Sequence, residues 1–214
     1  MQENNWQIYK FGGTSLNNSD CILNVCNLIK ENSSENLIVV VSAMAGVTDQ
    51  LVDYSKSRKQ SILGKIADRY SATINETIKE ESIVELLLGE FESDLQTINE
   101  LALSFTEKSI KTEENQILGF GEIWSSRLIQ GILSQSKRID LNQRDIHLLN
   151  PLKIITLCQT EMGVNIDWTE SKKLFSKSLS NKNGIFVMAG FLAMSSDLKP
   201  TNLQISRFRL INPF

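Results

Sequence analysis

The chain has 214 residues, 41% of them apolar and 22% charged, with 22 Lys and Arg against 25 Asp and Glu for a net charge of −3. A chain this long buries roughly 70% of the surface its unfolded form exposes, so it holds a core without disulfides or metal, and near-balanced charge argues against a broad nucleic-acid or membrane-surface footprint. Three cysteines, Cys21, Cys26 and Cys158, with no C-x-x-C pair and a single histidine, His147, argue against a zinc site or disulfide framework.

The first residues, Met1 through Trp6, are polar and acidic and lack the basic and apolar regions of a secretory signal. No apolar run approaches the roughly 20 residues of a membrane span, so a cytoplasmic location is expected. Residues 8–11 read as a short strand ending abruptly at Gly12-Gly13-Thr14-Ser15. Ile22, Val25, Leu28 and Ile29 recur at helical spacing and predict a helix over 18–31. After a polar turn, the β-branched run at 37–41 suits a strand buried on both faces, as in a parallel sheet. Strand, helix, strand predicts an α/β layer fold with a right-handed crossover.

From Val47 to about Ser136 the pattern is helical, with breaks expected near Leu63-Gly64, Gly89 and Lys111-Thr112. Residues 83–88 are read as closing one helix, and Leu95, Ile98, Leu101 and Phe105 as lining another. Residues 113–133 form a further helix despite Gly119 and Gly121, each costing about 1 kcal/mol relative to Ala; such glycines mark close packing or a nearby ligand. Asp94, Glu107, Glu113 and Glu114 read as exposed helix charge. Beyond Lys137, short strands are expected at 138–141 and 153–157. A helix over 169–179 follows, capped by Asp167 or Thr169 and supported by Glu170. The strand at 184–189 closes at Gly190-Phe191.

Two clusters can carry chemistry. In Lys10-Phe11-Gly12-Gly13-Thr14-Ser15, paired glycines admit a ligand close to the backbone, successive N–H groups form an anion nest, and Lys10 supplies a point charge. This matches neither the Walker A pattern nor the spaced glycines of a dinucleotide fold, and by itself it also fits a plain tight turn. In the segment at 41–49, the buried strand opens into small and hydroxyl residues where ligands of open α/β sheets bind. Ser42, Gly46 and Thr48 can hydrogen-bond a small polar substrate there, and Thr48 equally reads as a helix N-cap.

Lys-Phe-Gly-Gly-Thr-Ser at 10–15, followed by Val-Val-Ser-Ala-x-x-Gly-Val-Thr-Asp at 40–49, resembles the aspartokinase branch of the amino-acid kinase family. Gly121-Glu122-Ile123-Trp124-Ser125 is similar to the family's Gly-Glu-x-x-Ser segment. Val187-Met188-Ala189-Gly190-Phe191 resembles the strand and turn before its Leu-Gly-Arg-x-Gly-Ser-Asp loop, more in the manner of forms fused to homoserine dehydrogenase. The resemblance spans about residues 6–203. It implies a three-layer α/β/α, carbamate kinase-like fold with a mostly parallel sheet and a helical insertion, here over 60–108.

The resemblance also implies transfer of the γ-phosphoryl group of ATP, with Mg2+, to the side-chain carboxylate of L-aspartate, on the route to lysine, threonine and methionine. Lys10 would neutralise the phosphoryl group in flight; Gly12, Gly13, Thr14 and Ser15 would line the phosphates. Ser42 and Thr48 would face aspartate, and Glu122 would pair with its α-ammonium group. No residue is assigned as a metal ligand, no nucleic acid or membrane partner is expected, and full-length relatives are expected to be homo-oligomers. Without the resemblance Glu122 reads as a solvated helix residue, and His147 and the cysteines as packing.

The pattern departs after Leu203. Where the family would read Gly-Arg-x-Gly-Ser-Asp, the chain reads Gln204-Ile205-Ser206-Arg207-Phe208-Arg209. The arginine that would grip the α-carboxylate, and the later parts that would hold adenine and ribose, are not matched. Two segments are therefore expected, an aspartate-binding part of a kinase domain at 1–203 and a divergent tail at 204–214, with a frameshift or stop as the origin of the tail and no turnover by the chain alone. An open sheet edge is a further expectation. The alternatives are a non-catalytic binding module that keeps the fold, or a kinase acting on another carboxylate or carbamate.

Overall fold

The computed structural model describes residues 6–32, 36–104, 110–137, 144–161, 163–194 and 200–202. β1 (Trp6–Phe11) leads through a 3-10 turn at Gly13–Leu16 to α1 (Ser19–Glu31) and β2 (Asn36–Val41). Four helices follow: α2 (Val47–Ser57), α3 (Gln60–Thr77), α4 (Glu81–Ser104) and α5 (Ile110–Lys137). Then come β3 (Ile146–Leu149), a 3-10 turn at Pro151–Lys153, a hairpin of β4 (Leu157–Thr160) and β5 (Gly163–Ile166), α6 (Trp168–Leu179), β6 (Gly184–Ala189), and an antiparallel pair of β7 (Leu192–Met194) and β8 (Pro200–Asn202).

β1, β2, β6 and β3 form a parallel sheet in the order β1-β2-β6-β3. The two central strands are the most apolar, and Leu37, Val39, Val41, Phe186 and Val187 are fully buried. Alternation sends Leu37, Val39 and Val41 into the larger core with residues of α1 to α5, and Ile38 and Val40 into a smaller one with Phe186, Met188, Leu149 and the α6 residues Phe175 and Leu179. Helices thus cover both faces, giving the expected three α/β/α layers. At the edge, Ile8 of β1 remains exposed.

The helical region is cut elsewhere than expected. Gly64 and Gly89 lie inside α3 and α4 with open space around them, because the buried stripe of Leu63, Ile66, Tyr70 and Ile74 in α3, and of Leu87, Phe91 and Ile98 in α4, outweighs one glycine's propensity cost. The chain turns instead at Arg58, which takes a left-handed conformation with its N–H donating to Tyr54 O, and after Ile78. Residues 83–88 consequently open α4, sharing that helix with Leu95, Ile98 and Leu101. Helix α5 already includes Lys111 and Thr112; Phe105 and Glu107 lie outside the described residues.

The strand expected at 153–157 is a turn, because Pro151 starts a 3-10 segment whose Asn150 cap accepts from Leu152 N–H, and pairing begins only at Leu157. The short edge strand β3 and the hairpin strand β5 carry too few alternating residues to be read in advance. The strand expected at 138–141 and the tail at 204–214 lie outside the described residues. α6 begins as expected, with Asp167 accepting from Glu170 N–H. Among the described residues no helix is long and apolar enough to cross a membrane.

Candidate functional site

The carboxyl ends of β1, β2 and β6 lie level, Phe11 opposite Val41 and Val41 opposite Ala189. Beyond them the chain stays tied together, since Ser42 N–H donates to Phe11 O at 3.1 Å and Gly190 N–H donates to Val41 O at 2.8 Å. The Gly-Gly turn, the 42–48 loop and the Gly190-Phe191 turn therefore sit side by side, where open α/β sheets gather their ligand contacts.

The two glycines of the turn do different things. A Cβ on Gly13 would stand 3.0 Å from Ala43 O and 3.6 Å from Ala45 Cα, so glycine there lets two loops touch. Gly12 has open space beside it. Thr14 and Ser15 are exposed on the 3-10 turn, which closes through Ser15 N–H donating to Gly12 O at 3.0 Å. Lys10 is also exposed, and strand alternation puts it on the α6 side of the sheet, opposite Tyr9 and Phe11.

The second loop enters α2 through Gly46, whose φ of +78° favours glycine and which serves as the N-cap. Thr48 is therefore inside the first helical turn and not the cap. No side chain caps α2; its first amide, Val47 N–H, donates to Met44 O at 3.0 Å, and the helix start carries the positive end of the dipole. Ser42 and Thr48 are both half-buried.

Glu122 comes from α5, on the opposite side of the sheet from Lys10. It is only 5% exposed, which corrects the reading of a solvated helix residue. Gly121 makes this burial possible: a Cβ there would lie 2.7 Å from Ala43 Cβ and 3.3 Å from Val47 Cγ1, so α5 rests directly on the loop after β2. Burial pushes the Glu122 carboxyl up to about 7, although its own amide and that of Ala43 donate to it and pull the other way. Its Oε2 has no hydrogen-bond partner, and neither has the buried Oγ of Ser125 one turn further along. A buried carboxylate oxygen and a buried hydroxyl one helical turn apart thus keep unused hydrogen-bonding capacity, and the carboxylate is able to accept from a donor-bearing cation.

Behind this pair α5 is held firmly. Trp124 Nε1–H donates to Asp94 Oδ2 at 2.9 Å, Arg127 Nη1 lies 2.5 Å from the same oxygen, and Arg127 Nε lies 3.3 Å from Glu90 Oε2. Tyr70 donates to Trp124 O at 2.7 Å and, with Phe91, packs against the Trp124 ring. Asp94 is thus a structural partner and not an exposed charge; Glu114 likewise accepts from Ser55 Oγ at 3.2 Å.

The structure brings the turn of Gly12, Gly13, Thr14 and Ser15 and the loop of Ser42 and Thr48 together, with Glu122 of α5 packed under the second, whereas Lys10 on β1 points to the other face of the sheet. Ser125 stood in the Gly-Glu-x-x-Ser segment without an assigned role, and Arg69, which donates to Ala45 O and Asn17 O, escaped sequence reasoning altogether. His147 stacks on Phe186 at 4.8 Å, away from these loops. Among the described residues no group of three or more His, Cys, Asp or Glu gathers to hold a metal ion.

Residues 5–206 match the amino acid kinase family. The chain is 29% identical over 211 residues to the chloroplastic bifunctional aspartokinase/homoserine dehydrogenase of Daucus carota, covering 93% of this chain and 22% of that one. It is 30% identical over 206 residues to the aspartokinase of Chlamydia trachomatis, covering 92% and 42%. Among solved structures, Escherichia coli aspartokinase III in complex with lysine and aspartate superposes with a TM-score of 0.75 at 20% identity, covering 92% of this chain and 43% of that one. The same enzyme with aspartate and ADP gives 0.72, again at 20% identity and the same coverage. The chain thus spans less than half the length of these relatives, and the structural likeness establishes the fold.

Proposed function

This chain belongs to the amino acid kinase family, and from that premise we propose that it is the aspartate-binding part of an aspartate kinase. The observation that carries the proposal is the buried, partnerless Oε2 of Glu122 beside the loop of Ser42 and Thr48. In this reading Glu122 binds the α-ammonium group, Ser42 and Thr48 hydrogen-bond the rest of the amino acid, and its side-chain carboxylate points towards the open space beside Gly12.

In the reaction an oxygen of that carboxylate forms a bond to the γ-phosphorus of ATP while the bridging β–γ oxygen leaves on ADP, giving 4-phospho-L-aspartate. The carboxylate is ionised at neutral pH, so no general base is required. The work left to the protein is alignment and charge neutralisation. Lys10 supplies positive charge, the amides of the Gly12–Gly13 turn line the phosphates, and the uncapped start of α2 adds its dipole. Magnesium bound to the phosphates of ATP would supply further charge screening, with no side chain of this chain assigned to hold it.

Turnover also needs a group that grips the α-carboxylate, and the sequence at 204–209 does not supply the family's loop. We therefore assign the chain binding of L-aspartate and no turnover by itself. Calorimetry with L-aspartate tests this: specific heat that vanishes in Glu122→Ala supports the site, and no binding by the unmodified chain overturns it. ADP release above background that disappears in Lys10→Ala would refute the lack of turnover.

A further inference from the structure

Arg69 lies on α3, within the helical stretch, far in sequence from every loop of the site. Its Nη1 donates to Ala45 O and its Nη2 to Asn17 O, both at 2.6 Å. Asn17 closes the 3-10 turn that follows Gly12, and Ala45 immediately precedes Gly46, the left-handed cap of α2. One guanidinium thus spans the two backbone reversals that carry the Lys10 cluster and the Ser42 cluster. Both acceptors are carbonyls at junctions between elements, where the chain leaves one hydrogen-bonded pattern for another. Bonds from a charged donor are the stronger kind, and the planar fork of arginine serves two diverging acceptors at once.

The next residue along α3 completes the arrangement. Tyr70 is buried against Phe91 and Trp124 and donates to Trp124 O, two residues from Glu122. Arg69 therefore projects from a helical turn whose own position is set by α5. Consecutive residues of α3 reach three segments: the turn after β1, the loop after β2, and α5 beside Glu122.

We infer that Arg69 is a positioning residue, a cross-brace that fixes the Gly12–Ser15 turn against the Ser42–Thr48 loop and so sets the spacing between the phosphate-facing and the amino-acid-facing halves of the site. The brace itself rests on geometry; only its effect on ligands rests on the aspartate kinase reading. Hydrogen exchange by mass spectrometry on the full chain, without ligand, tests it. Arg69→Ala is expected to speed amide exchange about tenfold or more in both 12–19 and 42–49 while α5 keeps its protection, and added guanidinium is expected to restore both loops together. Arg69→Lys, which keeps the charge but loses the two-nitrogen fork, is expected to fall between the two and to remain folded if Arg69→Ala does not. Faster exchange in one loop only, a uniform loss across the chain that guanidinium does not reverse, or Arg69→Lys indistinguishable from the unmodified protein would each overturn the inference. In a parallel calorimetric titration, Arg69→Ala is expected to weaken L-aspartate binding at least tenfold, with guanidinium rescue. An unmodified chain that binds no aspartate would defeat the functional reading and leave the exchange result to decide the brace.

Discussion

The amide of Ala43 donates to the carboxylate of Glu122, so the loop after β2 holds an acid that α5 delivers from the far end of a long helical excursion. That contact requires Gly121, since any side chain there would press on Ala43 and Val47. The acid keeps one oxygen without a partner in a buried setting, a combination that has a cost in stability and suits a ligand.

The pH dependence follows from the sign of the Glu122 displacement. Its folded value, about 7, lies above the ordinary 4.5, so the native state holds a proton that the unfolded chain gives up. The associated stability is fully present below about pH 4.5 and is lost as pH rises through 7, by at most about 3 kcal/mol. Glu122→Gln should remove this slope and be the more stable form at pH 8. Thermal melts across pH 4 to 8 check it, and parallel curves for the two proteins would contradict it.

Ligand binding should run the other way. An ammonium group beside Glu122 favours the ionised acid, so aspartate affinity should rise with pH up to about 7, and binding at pH 6 should release a proton. Calorimetry in buffers of different ionisation enthalpy measures this release. Glu122→Gln should abolish it; release that persists in the variant would place the titrating group elsewhere.

Gly121→Ala should destabilise, because overpacking against Ala43 costs about 1–3 kcal/mol and exceeds the helix-propensity gain of about 1 kcal/mol. Gly89→Ala, whose Cβ meets open space, should stabilise by up to about 1 kcal/mol. Urea unfolding of the pair separates close packing from propensity, and equal shifts in the two variants would argue against the α5–loop contact.

Asp94→Ala should cost about 1–3 kcal/mol, since it strands the buried Trp124 indole N–H and removes a partner of Arg127. Urea titration followed by tryptophan fluorescence checks it. A change within about 0.5 kcal/mol would return Asp94 to the class of ordinary surface charges.

Lys10→Ala should leave stability within about 0.5 kcal/mol, because Lys10 is exposed on an edge strand. Binding of inorganic tripolyphosphate, followed by calorimetry, should fall at least tenfold while aspartate binding persists. Loss of both together would point to a wider disturbance than a missing charge.

Much of the layered fold was legible in local patterns. The apolar runs of β2 and β6 suited buried strands, α1 showed its stripe, and α6 showed its Asp167 cap. The cuts between α2, α3 and α4 were not legible, because Gly64 and Gly89 look like breakers until the stripes around them are seen to be buried. The start of β4 was hidden by Pro151, and β3 by its shortness. At the site, Lys10, the paired glycines and Ser42 stood out by type and order, whereas Glu122 was marked only by its resemblance to the Gly-Glu-x-x-Ser segment and otherwise looked like any helix carboxylate.

The sequence by itself determined the α/β order, the two glycine-bearing loops and the family resemblance, because these reside in contiguous runs whose periodicity and motif spacing need no partner. Tertiary structure alone decided that Glu122 is buried and raised towards neutrality, that Gly13 and Gly121 serve close packing, that Asp94 is a partner of Trp124, and that Arg69 bridges two loops. Each of these depends on a neighbour between roughly 24 and 80 positions away, and burial and pairing at that range arise only when the helices close over the sheet.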